Sequence, residues 1–526
     1  MTDRNLQRLA SLADLKASGP RVVRQDGKQI ALFASGDHVL ACNNRCPHEG
    51  YPLSEGSLSE DCILTCNWHN WKFNLLDGRT LVGGDNLRLY PVELDGDDVL
   101  VDLTDPPLDD IISRSLDGLL ESFDRHEYDR MARELARIEK AGGDPLDAVR
   151  ETVIRRYRHL EYGTTHAFAA APDWLSLIRR RSSPADERLA ALLEVIGHIA
   201  RDSEKEPEYP FTSRSLPWNA DDFISAIEAE DEPAAVMLLR GALTAGMEWS
   251  DLKPVFYQAA LSHYQDFGHA LIYAQKAGEL IGYLGSALHE PLLLALTRSL
   301  VYATREDLIP QFSAYAPALD SWQTGDGKLA DDRGFRNGSV PAILKAISGA
   351  AVPEDHLWQA LFGAACWQML HFDYARQSRT SGPVAQNVNW LDFTHAITFS
   401  HAVRDAGRLE PGNWPAGLLQ IGCFLGRNSG HVDAEQDVSQ WSVDDPLAFY
   451  DDRLAALLDH AQPEYIVSAH LVKLLTAARA ETLASPDAPW VGDLAAASNR
   501  FLNQPIKRKH VLRTARQAID FVGREG

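Results

Sequence analysis

The sequence predicts an α+β multidomain chain: a small antiparallel β domain over residues 1–105, followed by a large all-α domain over residues 111–526. Three observations carry this. Before residue 105, short apolar segments alternate with a period of two and are broken by Gly and Asp turns. At Thr104-Asp-Pro-Pro-Leu-Asp-Asp110, consecutive prolines can continue neither a strand ladder nor a helix, so the segment reads as a linker. After it, long stretches rich in Ala and Leu carry apolar residues at three-to-four spacing.

Taken in order, the strand segments are Arg21–Arg24, Gln29–Phe33, His38–Cys42, Cys62–Cys66, a hairpin through Asp77-Gly78, Leu89–Glu93 and Asp98–Leu103. The helical segments are Glu187–Ala200, Glu232–Ala245, Pro254–Leu284, Pro291–Ala303, His356–Gln377, Leu391–Val403, Pro446–Gln462 and Glu464–Ala484. No comparable strand alternation and no fixed-period repeat follows residue 110.

At 526 residues, 45% hydrophobic and 24% charged, the chain has the composition of an ordinary globular protein with two or more cores. A formal charge of −23 leaves no basic stripe for a nucleic-acid backbone, and an acidic surface suits a basic redox partner. No signal-like segment opens the chain and no apolar run is long enough to span a bilayer, so a cytoplasmic protein is expected. Six cysteines do not make a disulfide framework, which fits a reducing compartment. No Gly-x-Gly-x-x-Gly lies between a strand and a helix, so electrons are expected from an external ferredoxin or flavin reductase.

The chemistry is concentrated in Cys46-Pro-His48 and Cys66-Asn-Trp-His69, a Cys-x-His and a Cys-x-x-His separated by seventeen residues. Two thiols and two imidazoles also suit a tetrahedral Cys2His2 zinc site. The flanking residues favour iron and sulfur. Cys46–Gly56 and Cys66–Phe73 resemble the two cluster-binding loops of the Rieske family, in which two thiolates hold one iron of a [2Fe–2S] cluster and two imidazoles the other. The resemblance implies single-electron transfer. Asn70 replaces the family's usual Gly, and Asn also tolerates a left-handed backbone. Tyr51 and Trp68 stand where high-potential relatives carry a disulfide, so the loops resemble those of ferredoxin-like and oxygenase-type domains. Cys42 and Cys62 are expected to be buried free thiols on strands.

Histidines in the helical part are the candidates for an electron acceptor. His166, His269, His395 and His470 each sit in an apolar helical segment, where an imidazole needs a partner. Lys473 shares a helix face with His470. These four segments resemble the questin oxidase family, helical enzymes that oxidise or cleave polyketide quinone rings. The resemblance implies a mononuclear non-haem iron on His166, His269, His395 and His470, with Lys473 as a carboxylated ligand. Lysine's ordinary habit of carrying its charge to solvent is the other reading of Lys473.

The stretch Asp392-Phe-Thr-His395-Ala-Ile-Thr-Phe-Ser-His401 supports a rival. It resembles the iron-binding segment of ordinary Rieske oxygenases, which implies a facial triad using His395 and His401, with Asp392 as the link to a neighbouring subunit's cluster. His401 and His395 are six apart, as are His263 and His269, which sets each pair about 120° apart on a helix and argues against one iron binding both. His159, His263, His371 and His401 are the alternative histidine ligands.

The expectation is therefore a Rieske-type oxygenase that passes electrons from its cluster to a mononuclear iron, which activates dioxygen to oxidise a small apolar aromatic or polyketide-like molecule. A homo-oligomer is compatible with it. The different class of function is an electron-transfer module fused to a metal-free helical scaffold.

Overall fold

A computed structural model describes residues 4–179, 183–329, 331–378, 388–504 and 511–524. The chain packs as two compact units, residues 1–148 and 149–526.

The first unit holds three small antiparallel sheets built from β1 (Leu6–Ser11), β2 (Arg21–Gln25), β3 (Lys28–Ser35), β4 (His38–Asn43), β5 (Ser57–Leu58), β6 (Ile63–Thr65), β7 (Lys72–Asn74), β8 (Thr80–Val82), β9 (Leu89–Tyr90), β10 (Val92–Asp95) and β11 (Asp98–Asp102). Their orders are β1-β11-β10, β2-β3-β4-β9 and β5-β6-β7-β8. Strand β3 explains why its segment reads as an unbroken apolar run: Ile30 and Leu32 enter one core with Val39, Val99 and Val101, while Ala31 and Phe33 enter another with Leu64, Phe73, Cys46 and Cys66. Side chains alternate across a strand, so a strand buried on both faces needs apolar residues at every position.

This unit runs past the prolines. Pro107 precedes a helix Leu108–Glu121, a second helix spans Tyr128–Lys140, and both belong with the sheets. Part of the tie is Asp85, 1% exposed, which meets Arg133 at 2.6 Å and Arg137 at 2.8 Å. The buried thiol expected of Cys62 needs correction. Cys42 lies on β4 and is fully buried, but Cys62 precedes β6 at φ +59°, half-buried, with Ser35 Oγ at 3.7 Å from its sulfur.

Among the described residues the second unit is helical, with two isolated β-bridges. Four helices position the site: His166–Arg179, His269–Leu284, Trp390–Leu409 and Tyr465–Ala484. The first packs on the second and the fourth, and the third packs on the same two, which closes a ring of four. Where the periodicity predicts one helix over Pro254–Leu284, the chain forms two, Trp249–Leu261 and His269–Leu284. The break falls at Asp266-Phe267-Gly268, all with positive φ. Among the described residues, no helix is long and apolar enough to cross a membrane.

Candidate metal centres

The two cysteine loops share one hydrogen-bond frame. Cys46 N–H donates to Tyr51 O at 2.9 Å and Cys66 N–H to Trp71 O at 2.8 Å. Each turn then closes four residues after its cysteine, with Gly50 N–H donating to Cys46 O at 2.8 Å and Asn70 N–H to Cys66 O at 3.0 Å. Gly50 has φ +77° and Asn70 φ +59°, so Asn70 takes the left-handed role that the second loop requires. Burial lifts the Cys46 thiol to about 11, the adjacent Cys66 thiol acts in the same direction, and the N–H groups of His48 and Glu49 oppose it. Those N–H groups are what a thiolate ligand needs around its sulfur.

Both thiols are buried, His48 is half-buried and His69 is exposed. The two imidazole centroids are 4.7 Å apart, and Trp71 stacks on His48 at 4.7 Å and 11°. Gly83 lets Trp71 close on the loop, since a Cβ there would lie 2.4 Å from its ring. Two buried thiols and two more exposed imidazoles fit the donor set of a [2Fe–2S] cluster, which Cys46, Cys66, His48 and His69 would hold.

The ring of helices brings His166, His269, His395 and His470 together. His269 Nε2 is 3.1 Å from His166 Nε2, and His470 Nε2 is 2.9 Å from His395 Nε2. His166, His269 and His395 offer nitrogens that all lie within 4.8 Å of one another. The tautomers follow from the outer contacts. His269 Nδ1 faces Asp266 O at 2.5 Å and His470 Nδ1 faces Ile466 O at 2.6 Å. A carbonyl only accepts, so both Nδ1 atoms carry the proton and both Nε2 atoms turn a lone pair inward. This outer hydrogen bond is the usual companion of a metal-binding histidine.

Two nitrogens about 2.1 Å from one cation lie about 3.0 Å apart at a right angle and about 3.4 Å apart at the tetrahedral angle. The observed separations of 3.1 and 2.9 Å are short enough for both nitrogens of each pair to bind one cation. They equally suit an N–H···N hydrogen bond, which a proton on His166 and His395 supplies in metal-free protein.

Burial keeps these rings neutral. It holds His166 and His395 well below the usual histidine range, lowers His269, and brings His470 to about 3, with the neighbouring imidazoles acting the same way on His166 and His395. Neutral imidazole is the form that binds metals. Lys473 is 3% exposed and does not reach solvent; its ammonium donates to Ala169 O at 3.2 Å. Burial lowers it to about 8 against the pull of Asp173.

The other sequence candidates are engaged elsewhere. Asp392 pairs with Arg427 and accepts Asn389 N–H at 2.8 Å as part of a capping box, while His401 meets Glu481 at 2.6 Å. The set Asp392, His395 and His401 therefore does not converge. His159 faces Glu206 O at 2.8 Å, His263 lies between Asp307 at 3.1 Å and Glu228 at 2.7 Å, and His371 faces Trp367 O at 3.0 Å. Sequence reasoning passed over Tyr273, whose hydroxyl is 3.3 Å from His166 Nδ1. It stands four residues after His269, the spacing that shares a helix face. Also missed were the buried Asp173 and Lys276 and the half-buried Glu279, with Lys276 reaching the two carboxylates at 2.8 and 2.9 Å.

The family model of the Rieske [2Fe-2S] domain matches residues 5–86. The "3-phenylpropionate/cinnamic acid dioxygenase ferredoxin subunit" of Shigella boydii serotype 4 (strain Sb227) is 40% identical over 76 residues, 14% of this chain and 72% of that protein. The protein of the same name from Escherichia coli (strain K12) matches to the same extent. Among solved structures, the ferredoxin of carbazole 1,9a-dioxygenase from Nocardioides aromaticivorans IC177 is 28% identical, covering 19% of this chain and 98% of that one with a TM-score of 0.18. The terminal oxygenase of the same system is 25% identical, covering 19% and 30%, with a TM-score of 0.18.

Proposed function

This chain belongs to the Rieske [2Fe-2S] family through its first unit, and on that premise we propose that it is an oxygenase whose helical unit holds a mononuclear non-haem iron. The observation that supports this reading is the convergence of four neutral imidazoles, from four helices, in a chain that also carries an electron-transfer domain. A cluster on Cys46, Cys66, His48 and His69 supplies single electrons, and an iron on His166, His269, His395 and His470 supplies open positions for dioxygen.

The chain's own residues prepare both places. Asp266 O and Ile466 O hold the Nδ1 protons of His269 and His470, which fixes ring orientation and leaves the inward nitrogens bare. Lys473, lowered to about 8, has an appreciable neutral fraction near neutral pH, the form that reacts with CO2 to give the carbamate ligand that the questin oxidase resemblance implies. The Tyr273 hydroxyl oxygen can accept the Nδ1 proton that His166 carries when its Nε2 binds a metal. The substrate in this reading is a small apolar aromatic or polyketide-like molecule, and the electrons come from an external ferredoxin or flavin reductase in the cytoplasm.

Iron analysis of protein made under iron-replete anaerobic conditions tests it. Three irons per chain support the oxygenase. Two irons per chain, all of them in the cluster, would leave an electron carrier on a helical scaffold.

A further inference from the structure

Three residues in a row ahead of His269 have left-handed backbone: Asp266 at φ +51°, Phe267 at +43° and Gly268 at +80°. Glycine adopts this region freely and Asp tolerates it, but for a bulky residue such as Phe it is a true outlier. Such a conformation persists only where the surroundings over-determine it. Here they do so from three sides. Glu306, 3% exposed, accepts Phe267 N–H at 3.0 Å and is itself fixed by the Thr304 hydroxyl at 2.6 Å. A Cβ on Gly268 would come within 2.6 Å of Phe399, so the turn is pressed against the helix Trp390–Leu409. The Arg427 guanidinium covers the Phe267 ring, 4.7 Å from its centroid.

Asp392 holds that guanidinium. It stands three residues before His395 on the same helix, and so on nearly the same face. A chain of contacts thus runs from the helix that carries His395, through Asp392 and Arg427, to the strained turn that starts the helix carrying His269. The same turn supplies Asp266 O, the acceptor for His269 Nδ1. The centroids of His269 and His395 are 4.4 Å apart.

We propose that Glu306 and the Asp392–Arg427 pair are positioning residues that hold the Asp266–Gly268 turn, and through it fix His269 in register with His395 for binding one metal ion. The inference rests on the metal reading above. It gives Asp392 a role although the residue does not reach the imidazoles as a ligand.

The test uses the full chain with its cluster oxidised, because two coupled ferric ions are diamagnetic and added Co2+ is then the paramagnet seen by EPR. Protein dialysed free of its third metal is titrated with Co2+, and affinity and the spectrum at saturation are compared for wild type, Glu306→Ala, Glu306→Gln, Arg427→Gln and His269→Ala. Glu306→Ala and Arg427→Gln are expected to weaken binding about 10- to 100-fold, the usual effect of losing a group that orients a ligand, and to shift the g values of the bound ion. Glu306→Gln keeps an acceptor oxygen for Phe267 N–H and is expected to restore both. Arg427→Gln leaves the backbone contact intact, so the test stands even if Glu306→Ala misfolds. Wild-type affinity and an unchanged spectrum in Glu306→Ala and Arg427→Gln, even with a lowered Tm, overturn the proposal. Failure of wild type to bind Co2+ in a manner that needs His269 overturns the metal reading itself, so the two failures are told apart.

Discussion

His395 Nε2 lies 2.9 Å from His470 Nε2, although 75 residues separate them in the chain. His470 has committed its Nδ1 proton to Ile466 O, so its inward nitrogen can only accept. What joins the two rings is either a proton on His395 or a cation shared by both.

The cation alternative makes a prediction. His395→Ala or His470→Ala should remove most of the third iron and lower substrate-dependent oxygen consumption at least about 100-fold, consistent with losing a metal ligand. The EPR signal of the reduced cluster should remain, because the cluster ligands lie in a different compact unit. Three irons per chain and full activity in both variants would show that the rings share only a proton.

The cluster loops carry an independent prediction. Cys46→Ser should abolish or strongly reduce the EPR signal of the reduced protein, and His69→Cys should transform it, because exchanging neutral imidazole for thiolate lowers the potential. Stoichiometric zinc and no visible colour in iron-replete, anaerobically prepared protein would remove the assignment.

What was legible in the sequence depends on how far apart the partners stand. Cys46, His48, Cys66 and His69 lie on two tight loops, and the spacing alone announces them. The helical histidines were legible as residues in need of partners, but the partner of His470 includes a helix some 300 residues earlier, and no local pattern records that packing. Lys473 is the sharper case: lysine's habits point to solvent, yet packing buries it at 3% exposure. The Asp-x-x-His spacing at Asp392 and His395 read as an iron motif, but Arg427, 35 residues further on, takes up the carboxylate. Cys62 looked like a strand residue because apolar neighbours follow it, whereas the turn that starts β6 gives it a positive φ.

The burial of the imidazoles predicts an acid-sensitive metal-free protein. A histidine whose folded-state pKa is lowered stays neutral while its unfolded counterpart takes up a proton below 6.5, so stability falls with pH below 6.5 and levels off below the folded-state pKa, about 3 for His470. At pH 5 one such ring costs about 2 kcal/mol. Urea denaturation of metal-free protein, followed by helical circular dichroism, should show this loss, and His470→Gln should flatten the slope between pH 6.5 and 5. A slope unchanged in the variant would mean that His470 can be protonated in place.

Lys473 separates structural from functional use of a buried group. Its folded-state pKa of about 8 lies below the 10.5 of the exposed amine. Below pH 8 both states hold the proton and the penalty for burying the ammonium is whole, about 3 kcal/mol by the size of the shift. Between pH 8 and 10.5 the folded state binds fewer protons than the unfolded one, so stability rises with pH and the penalty fades. Lys473→Met keeps the length of the side chain and removes the charge. It should therefore stabilise the helical unit by about 3 kcal/mol at pH 7, with the gain shrinking to nothing above pH 10.5. If the amine also serves the metal centre, the same variant should lose third-site iron or turnover, a protein made more stable and less active. A stabilised variant with three irons and full activity would make Lys473 a tolerated cost of packing, and a destabilised one would mean that its contact with Ala169 O outweighs the burial of its charge.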